Sequence, residues 1–553
     1  MQARVALAMG SEAQAEQLAQ EALKVQPGLC DANVLRYDLA RRRDAAALAD
    51  QLAVVLGSCP GGQSRAAEHA KTRGDNAKAI ALYQQLLARD PTHVPTASAL
   101  ANLYVAQKRF EEAAHLYADL ARLWPRSSQL LKHEADVYEF WGRPQEALQL
   151  RQQALSYDGG DLSLRRAVDR SVTGNEPLQE YAVSGKAAIA AYEAQRGDED
   201  ATSALVLDFA AIRAYPDGSM LDRIHIIQKA LDQNGVQEIA EVNIPAGSQV
   251  LTLRTLKPDG TSLEPESFED KETVSMPGVQ VGDYVEQEFL EAHPARGPVE
   301  PGFTASNFYF QVQRSPNNWS TYTVIAPKGS GMAVDAHHLT STPPEVKGDL
   351  EIYRHTERHV PPFIPEPNSP PSQNEYLPFV AVGAGARGNE GVVAAYADSS
   401  LDHGALTWEV EAFARKATEG KKGVEEIRAL YGAVMEKLQG RDLGLGVSAA
   451  ASVAQDHGSR LWLLKASLES LGYPSRVAAV RTFGVDPAAY AYPDEQLLQY
   501  VAVRTELADG SVLWLDPLVR YAPFGELPEQ ALGEREAYLL PEPGRPLQKV
   551  KTP

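Results

Sequence analysis

Cysteine is almost missing from this chain: Cys30 and Cys59 are the two present among 553 residues. Two residues cannot build a disulfide framework or a cysteine-based zinc site. Both fall in a helical N-terminal region, where they are read as free buried thiols. Long apolar runs are missing too, and nothing approaches the ~20 residues a membrane-spanning helix needs. Basic residues are outnumbered, 53 Lys and Arg against 73 Asp and Glu, for a formal net charge of -20. With no segment that clusters Lys and Arg, this balance opposes binding to nucleic acid. The opening "MQARVALAMGSEAQ" has no long apolar core and no small-residue cleavage site, so it is not a signal peptide. It enters a helical repeat at once. The expectation is a chain cut from a longer precursor whose upstream part carried any export signal, which would place the protein in the cell envelope or periplasm.

What is present is globular. Hydrophobic residues make up 44% and charged residues 23%, and at roughly 150 residues per domain the length implies three or four domains. The first is repetitive. "GDNAKAIALYQQLLARDP" and "KRFEEAAHLYADLARLWP" set Ala79 over Ala113, Leu82 over Leu116, Tyr83 over Tyr117, Leu86 over Leu120 and Pro91 over Pro125, a constant offset of 34. A third copy carries Ala147, Leu150 and Ala154, and two looser copies lie upstream. Small residues let paired helices approach, and proline stops the second helix. Residues 1–172 therefore resemble a tetratricopeptide-repeat solenoid. The fold implies either a concave surface for a protein or peptide partner or a rigid spacer for the domains after it.

A helical connector is expected over 173–199, after which the period becomes alternating. "ALVLDFAAIRAYPDGSMLDRIHIIQKAL" reads as two strands about a Pro-Asp-Gly turn, with Ile224, Ile226 and Ala230 on one face, and Asp259-Gly260 marks a second hairpin. Residues 200–360 are expected to form an antiparallel β-sandwich. The Pro-rich stretch 361–400 reads as a linker or strap. Beyond it, Ile427, Leu430, Tyr431 and Val434 form a helical stripe. Strands about Asp509-Gly510 end at Trp514-Leu515-Asp516-Pro517, so residues 401–553 are α+β.

The segments "YPDGSMLDRIHIIQKAL", "LTLRTLKPDGTSLEPE" and "PGVQVGDYVEQEFLE" resemble the bacterial domain of unknown function that precedes transglutaminase-like domains. Residues 401–553 are similar to the transglutaminase-like, papain-like domain that comes after it, and tetratricopeptide repeats in front of the pair occur in the same family. The resemblance implies a Cys at the start of a helix, a His on the next strand and an Asp on the strand after. There the helix dipole lowers the thiol pKa, the His takes its proton and the Asp orients the His. Counting back from Leu471-Gly472 along that pattern puts Gln455-Asp456-His457 at the catalytic turn, so His457 stands where the thiol belongs. Tyr500 takes the place of the His, and Asp516 fits the Asp. No cysteine comes after Cys59.

Ser459, beside His457, is read as the N-cap of the helix that starts "RLWLL" and not as a substitute nucleophile. His355 and His359 are spaced as helical metal ligands, but Val360-Pro361-Pro362 implies extended chain that splits them. His337 and His338 are adjacent and face opposite ways on any strand. Gly444 and Gly446 mark a turn before a helix, and Asn318-Trp319-Ser320 matches a glycosylation sequon that is read as a turn. No cofactor and no metal site is expected. The reading is a helical repeat array, a β-sandwich and a transglutaminase-like domain without its nucleophile and base, joined in a non-catalytic recognition or assembly protein. Two rivals remain. One is an amide hydrolase or acyltransferase with an unconventional nucleophile. The other is an accessory subunit of an envelope-associated assembly.

Overall fold

A computed structural model describes residues 2–59, 61–195, 200–266, 272–295, 302–366, 376–385, 388–400, 402–440, 442–455, 457–482 and 498–553. The chain forms two compact units, Met1–Asp158 with Ser163–Gly174, and Gly159–Leu162 with Asn175–Pro553.

The first unit is a helical array. Consecutive helices pack against one another, and each 34-residue repeat supplies the same contacts. Ala79, Ala113 and Ala147 are wholly buried, because a methyl group is all that fits where two helices approach. Tyr83 and Tyr117 are each 3% exposed and belong to the core between helices. Helix Asn76–Arg89 begins at Asp75, whose carboxylate accepts from Lys78 N at 3.1 Å, and this satisfies a donor that the first turn leaves open. Cys30 and Cys59 are not free thiols: they form a disulfide. Cys30 opens helix Cys30–Arg42, and Cys59 lies just past helix Ala46–Gly57. The two helices pack as a hairpin, which returns the chain and brings its two ends together across 29 residues.

In the second unit an eight-stranded sheet runs in the order Glu345–Lys347, Leu350–Val360, Asn317–Pro327, Ser203–Ala214, Met220–Ala230, Tyr284–His293, Gln249–Leu256, Ser262–Leu263. It departs from the antiparallel expectation at one place. Ser203–Ala214 pairs in parallel with Asn317–Pro327, Asp208 lying opposite Ser320. After building one side of the sheet, the chain crosses back to the other side and enters from the same end. A second sheet joins Ala333–His337, Phe379–Ala384, Phe303–Thr304 and Phe308–Tyr309. One core takes Ile212, Tyr322, Val324 and Tyr353 from the first sheet and Phe303, Phe308, Val380 and Val382 from the second. The stretch 361–400 is thus more than a linker. Leu377 to Ala384 is a buried apolar run that supplies a central strand, and helix Gly388–Ser399 comes next.

The connector 173–199 divides at Asn175, and its later part covers the other face of the eight-stranded sheet. Ala188 and Tyr192, on helix Gly185–Gln195, pack with Phe209, Ile227 and Tyr284. Under this cover lies a ladder of charges. Arg223 donates to Glu288 at 2.8 and 2.6 Å and to Pro177 O at 3.0 Å, while Glu286 accepts from Arg254 at 2.7 Å and lies 2.9 Å from His225 Nε2. Burial pushes the Glu286 carboxyl up, but the hydrogen bonds from His225 and Arg254 outweigh it and hold the group below its ordinary value.

Residues 402–553 place helices before a five-stranded antiparallel sheet, ordered Val512–Leu515, Tyr500–Glu506, Ser475–Val480, Glu536–Leu539, Gln548–Lys551. Helix Arg460–Ser470 is buried on all sides from Arg460 to Leu468. It packs on Val477, Ala479, Val501, Val503 and Leu515 and meets the predicted stripe of Ile427, Leu430, Tyr431 and Val434.

The disulfide closes a loop of 29 residues, for which chain entropy gives about 3–4 kcal/mol of stabilisation. Cys59→Ala should lower the stability of the helical array by about that amount in denaturant unfolding. An unchanged midpoint, or two free thiols in the non-reduced protein, counts against the pairing.

Candidate functional site

The start of helix Arg460–Ser470 gathers the residues singled out from the sequence. The run Leu461-Trp462-Leu463-Leu464 drives the helix into the core, and Ser459 caps it by accepting from Trp462 N at 3.0 Å. Ser459 is itself fully buried, and its own N–H donates to Ser452 Oγ at 2.9 Å. Its neighbour Gly458 has no room for a side chain: a Cβ there would lie 2.7 Å from Ser452 Cβ and 2.9 Å from Ser452 Cα. His457 precedes this tight point and is exposed, while Asp456 lies outside the described residues.

Tyr500 opens strand Tyr500–Glu506, and Asp516 lies just past the end of the adjoining strand Val512–Leu515. Val503 pairs with Leu515, so the register carried one step on sets Asp516 opposite Ala502 and on the face that Tyr500 shares. Asp516 is 1% exposed and accepts from Leu518 N at 2.9 Å. Tyr500 is also buried, and among the described residues its hydroxyl makes no hydrogen bond of good geometry. Burial, and then the Asp516 carboxylate, push the Tyr500 phenol far above its ordinary value. At neutral pH it stays protonated and takes no proton from a neighbour.

Three further residues hold this junction, and the sequence reading passed over their part in it. Arg460 is 3% exposed, and its guanidinium donates to Leu438 O at 2.7 Å, Gly440 O at 2.7 Å and Leu518 O at 3.2 Å. Its backbone N–H donates to Asp442 Oδ2 at 3.1 Å, and Asp442 Oδ1 accepts from Gly444 N at 2.6 Å. The turn at Gly444, where φ is +53°, is thereby fastened to the helix start. Burial raises the Asp442 carboxyl, and these two N–H groups partly offset the rise. Tyr431 donates to Asp516 O at 2.6 Å and to Ala522 O at 3.1 Å. Burial pushes its phenol up to about 12, with the Asp516 charge adding and Arg460 opposing. A cation inside an otherwise apolar helical run was the available signal, since it must find partners once buried.

The other motifs lie elsewhere. His355 and His359 are on strand Leu350–Val360, and His355 Nε2 lies 2.8 Å from Glu357 Oε1. His337 stacks on Phe379 and lies 2.6 Å from Asp335 Oδ2. The sequon is not a turn: Asn318 is 6% exposed within strand Asn317–Pro327, because alternate residues of that strand face cores on both sides of the sheet.

Arg460→Met leaves three buried carbonyls without their donor and Asp442 without its cation, and should cost roughly 3–5 kcal/mol. Tyr500→Phe removes a buried hydroxyl whose pairing with Asp516 is poorly aligned and should stay within about 1 kcal/mol of wild type. Urea midpoints of the two variants check the pair, and a silent Arg460→Met refutes the assignment.

The tetratricopeptide repeat family matches residues 71–130. No curated protein matches. Among solved structures, a candidate protease from Parabacteroides distasonis ATCC 8503 is similar at 16% identity and TM-score 0.48, over 64% of this chain and 72% of that one. YrrB, a TPR protein with an unusual peptide-binding site, is similar at 11% identity and TM-score 0.26, over 30% and 87%. TTC0263, a thermophilic TPR protein of Thermus thermophilus, is similar at 18% identity and TM-score 0.22, over 31% and 95%. Over residues 71–130, then, the chain is similar to tetratricopeptide repeats, which is where the 34-residue offset lies.

Proposed function

We propose that this protein is a non-catalytic recognition or assembly protein. Its helical repeats capture a protein or peptide segment, and residues 401–553 form a transglutaminase-like domain that has lost its nucleophile and base. The observation that carries this reading is the family match across the best-kept repeats, because stacked helix pairs leave a surface that they cannot bury themselves.

The helix start supports the second half of the reading. An exposed imidazole, His457, occupies the place of the thiol. The hydroxyl of Ser459 is buried and committed to Trp462 N. Tyr500, in the place of the base, is a phenol that burial and Asp516 keep protonated. The third position keeps a carboxylate, Asp516, already engaged with Leu518 N. The Cys30–Cys59 disulfide favours an oxidising compartment, in keeping with export to the cell envelope.

Two measurements test the reading. A partner that co-purifies with the full chain should be lost when residues 1–172 are deleted, while residues 173–553 remain folded by circular dichroism. The full chain should hydrolyse neither a peptide nor a glutamine amide, and Ser459→Ala should cost about 1 kcal/mol of stability as a lost cap with no change in partner capture. Turnover that disappears in Ser459→Ala or His457→Ala, or full partner retention by the truncated chain, defeats the proposal.

A further inference from the structure

Far from the helix start in sequence, the eight-stranded sheet brings three potential ligands together. Asp222 lies near the start of strand Met220–Ala230, and Glu291, on strand Tyr284–His293, is paired directly opposite it. Side chains alternate along a strand, so His293, two residues beyond Glu291, shares their face. His293 Nε2 is 3.1 Å from Asp222 Oδ2. One ligand atom from each of the three residues lies within 4.8 Å of the others.

As a protein-only arrangement this cluster is poorly balanced. Like charges directly opposite on paired strands repel, and a buried carboxylate is costly unless it is fully paired or coordinates a metal. Asp222 is 4% exposed, and among the described residues its Oδ1 has no hydrogen-bond partner. Among the described residues, the charged group that faces both carboxylates is the His293 imidazole. The side chain of His293 is 39% exposed, so the cluster opens to solvent on that side and an ion has a way in.

We propose that Asp222, Glu291 and His293 bind a divalent transition-metal ion, Zn2+ being the ion that the donors fit best. One imidazole nitrogen and two carboxylate oxygens make a three-ligand set that leaves a fourth, solvent-facing position to water. The imidazole disfavours Ca2+ and Mg2+, which take oxygen ligands. Zinc at about 2.0–2.2 Å from each donor holds tetrahedral ligand atoms roughly 3.3–3.6 Å apart. The 3.1 Å separation of His293 and Asp222 is already close to that spacing. Glu291, on the partly exposed side of the cluster, closes the remaining gap by a rotamer change. The ion engages the Asp222 carboxylate, separates it from Glu291 and fastens the ends of two neighbouring strands. The site shares no residue with the helix start, so it stands or falls apart from the proposed function.

Isothermal titration of the EDTA-treated full chain with zinc chloride should give one ion per chain. Glu291→Gln and His293→Gln should each weaken binding by at least about 10-fold, and His337→Gln should leave it unchanged. Cobalt in place of zinc should give visible absorption bands that are lost in His293→Gln. Asp222→Asn alters a buried group and is read only where circular dichroism shows it folded, so the decision rests on the other two variants. No zinc bound by the wild-type chain, or affinity unchanged in both Glu291→Gln and His293→Gln, overturns the proposal.

Discussion

The C-terminal part of the second unit depends on one buried guanidinium. Where helix Arg460–Ser470 begins, the turn after Leu438 and the segment after Asp516 both present backbone carbonyls to a region closed to water, and such groups must be paired. Arg460 pairs Leu438 O, Gly440 O and Leu518 O with one planar fork, which a lysine ammonium on its flexible stem cannot imitate. Asp442, Tyr431 and Asp516 take their positions around it. The helix start is therefore filled with protein, and its residues are already engaged with one another.

The helical array was legible because its signal is local: alanines and tyrosines at a constant offset mark where helices touch, and they are buried as that offset implies. Hairpins were legible for a similar reason. Gly218, Gly260 and Gly510 come directly after aspartates and adopt positive φ of 85°, 90° and 80°, the conformation that tight turns require. The Cys30–Cys59 pairing could not be read from two isolated residues, since it depends on how one helix hairpin folds back. Strand order was equally hidden. Nothing local to Ser203–Ala214 announces a parallel neighbour, and strand Phe379–Ala384 was masked by the prolines before it.

At the candidate site the sequence located positions and not environments. Ser459 as a cap could be seen in "SRLWLL", and its hydroxyl accepts from Trp462 N. That Tyr500 would lie buried beside Asp516 depends on the pairing of two strands. The ladder of Arg223, Glu286, Glu288 and Arg254 depends likewise on three strands and on the connector that covers them. Alternation alone reads those charges as a solvated face, and only the fold shows why each has a partner.

The parallel pair has a consequence for how the chain is made. Strand Ser203–Ala214 forms its hairpin with Met220–Ala230 as soon as both have left the ribosome, yet its other neighbour is more than a hundred residues away, as the Asn318-to-Val206 contact measures at a separation of 112. Until that stretch is synthesised, an apolar strand destined for the centre of a sheet waits with one edge bare, the condition in which nascent chains pair wrongly with each other. Closure over so long a loop is slow, so the second edge of this strand is the last part of its pairing to form.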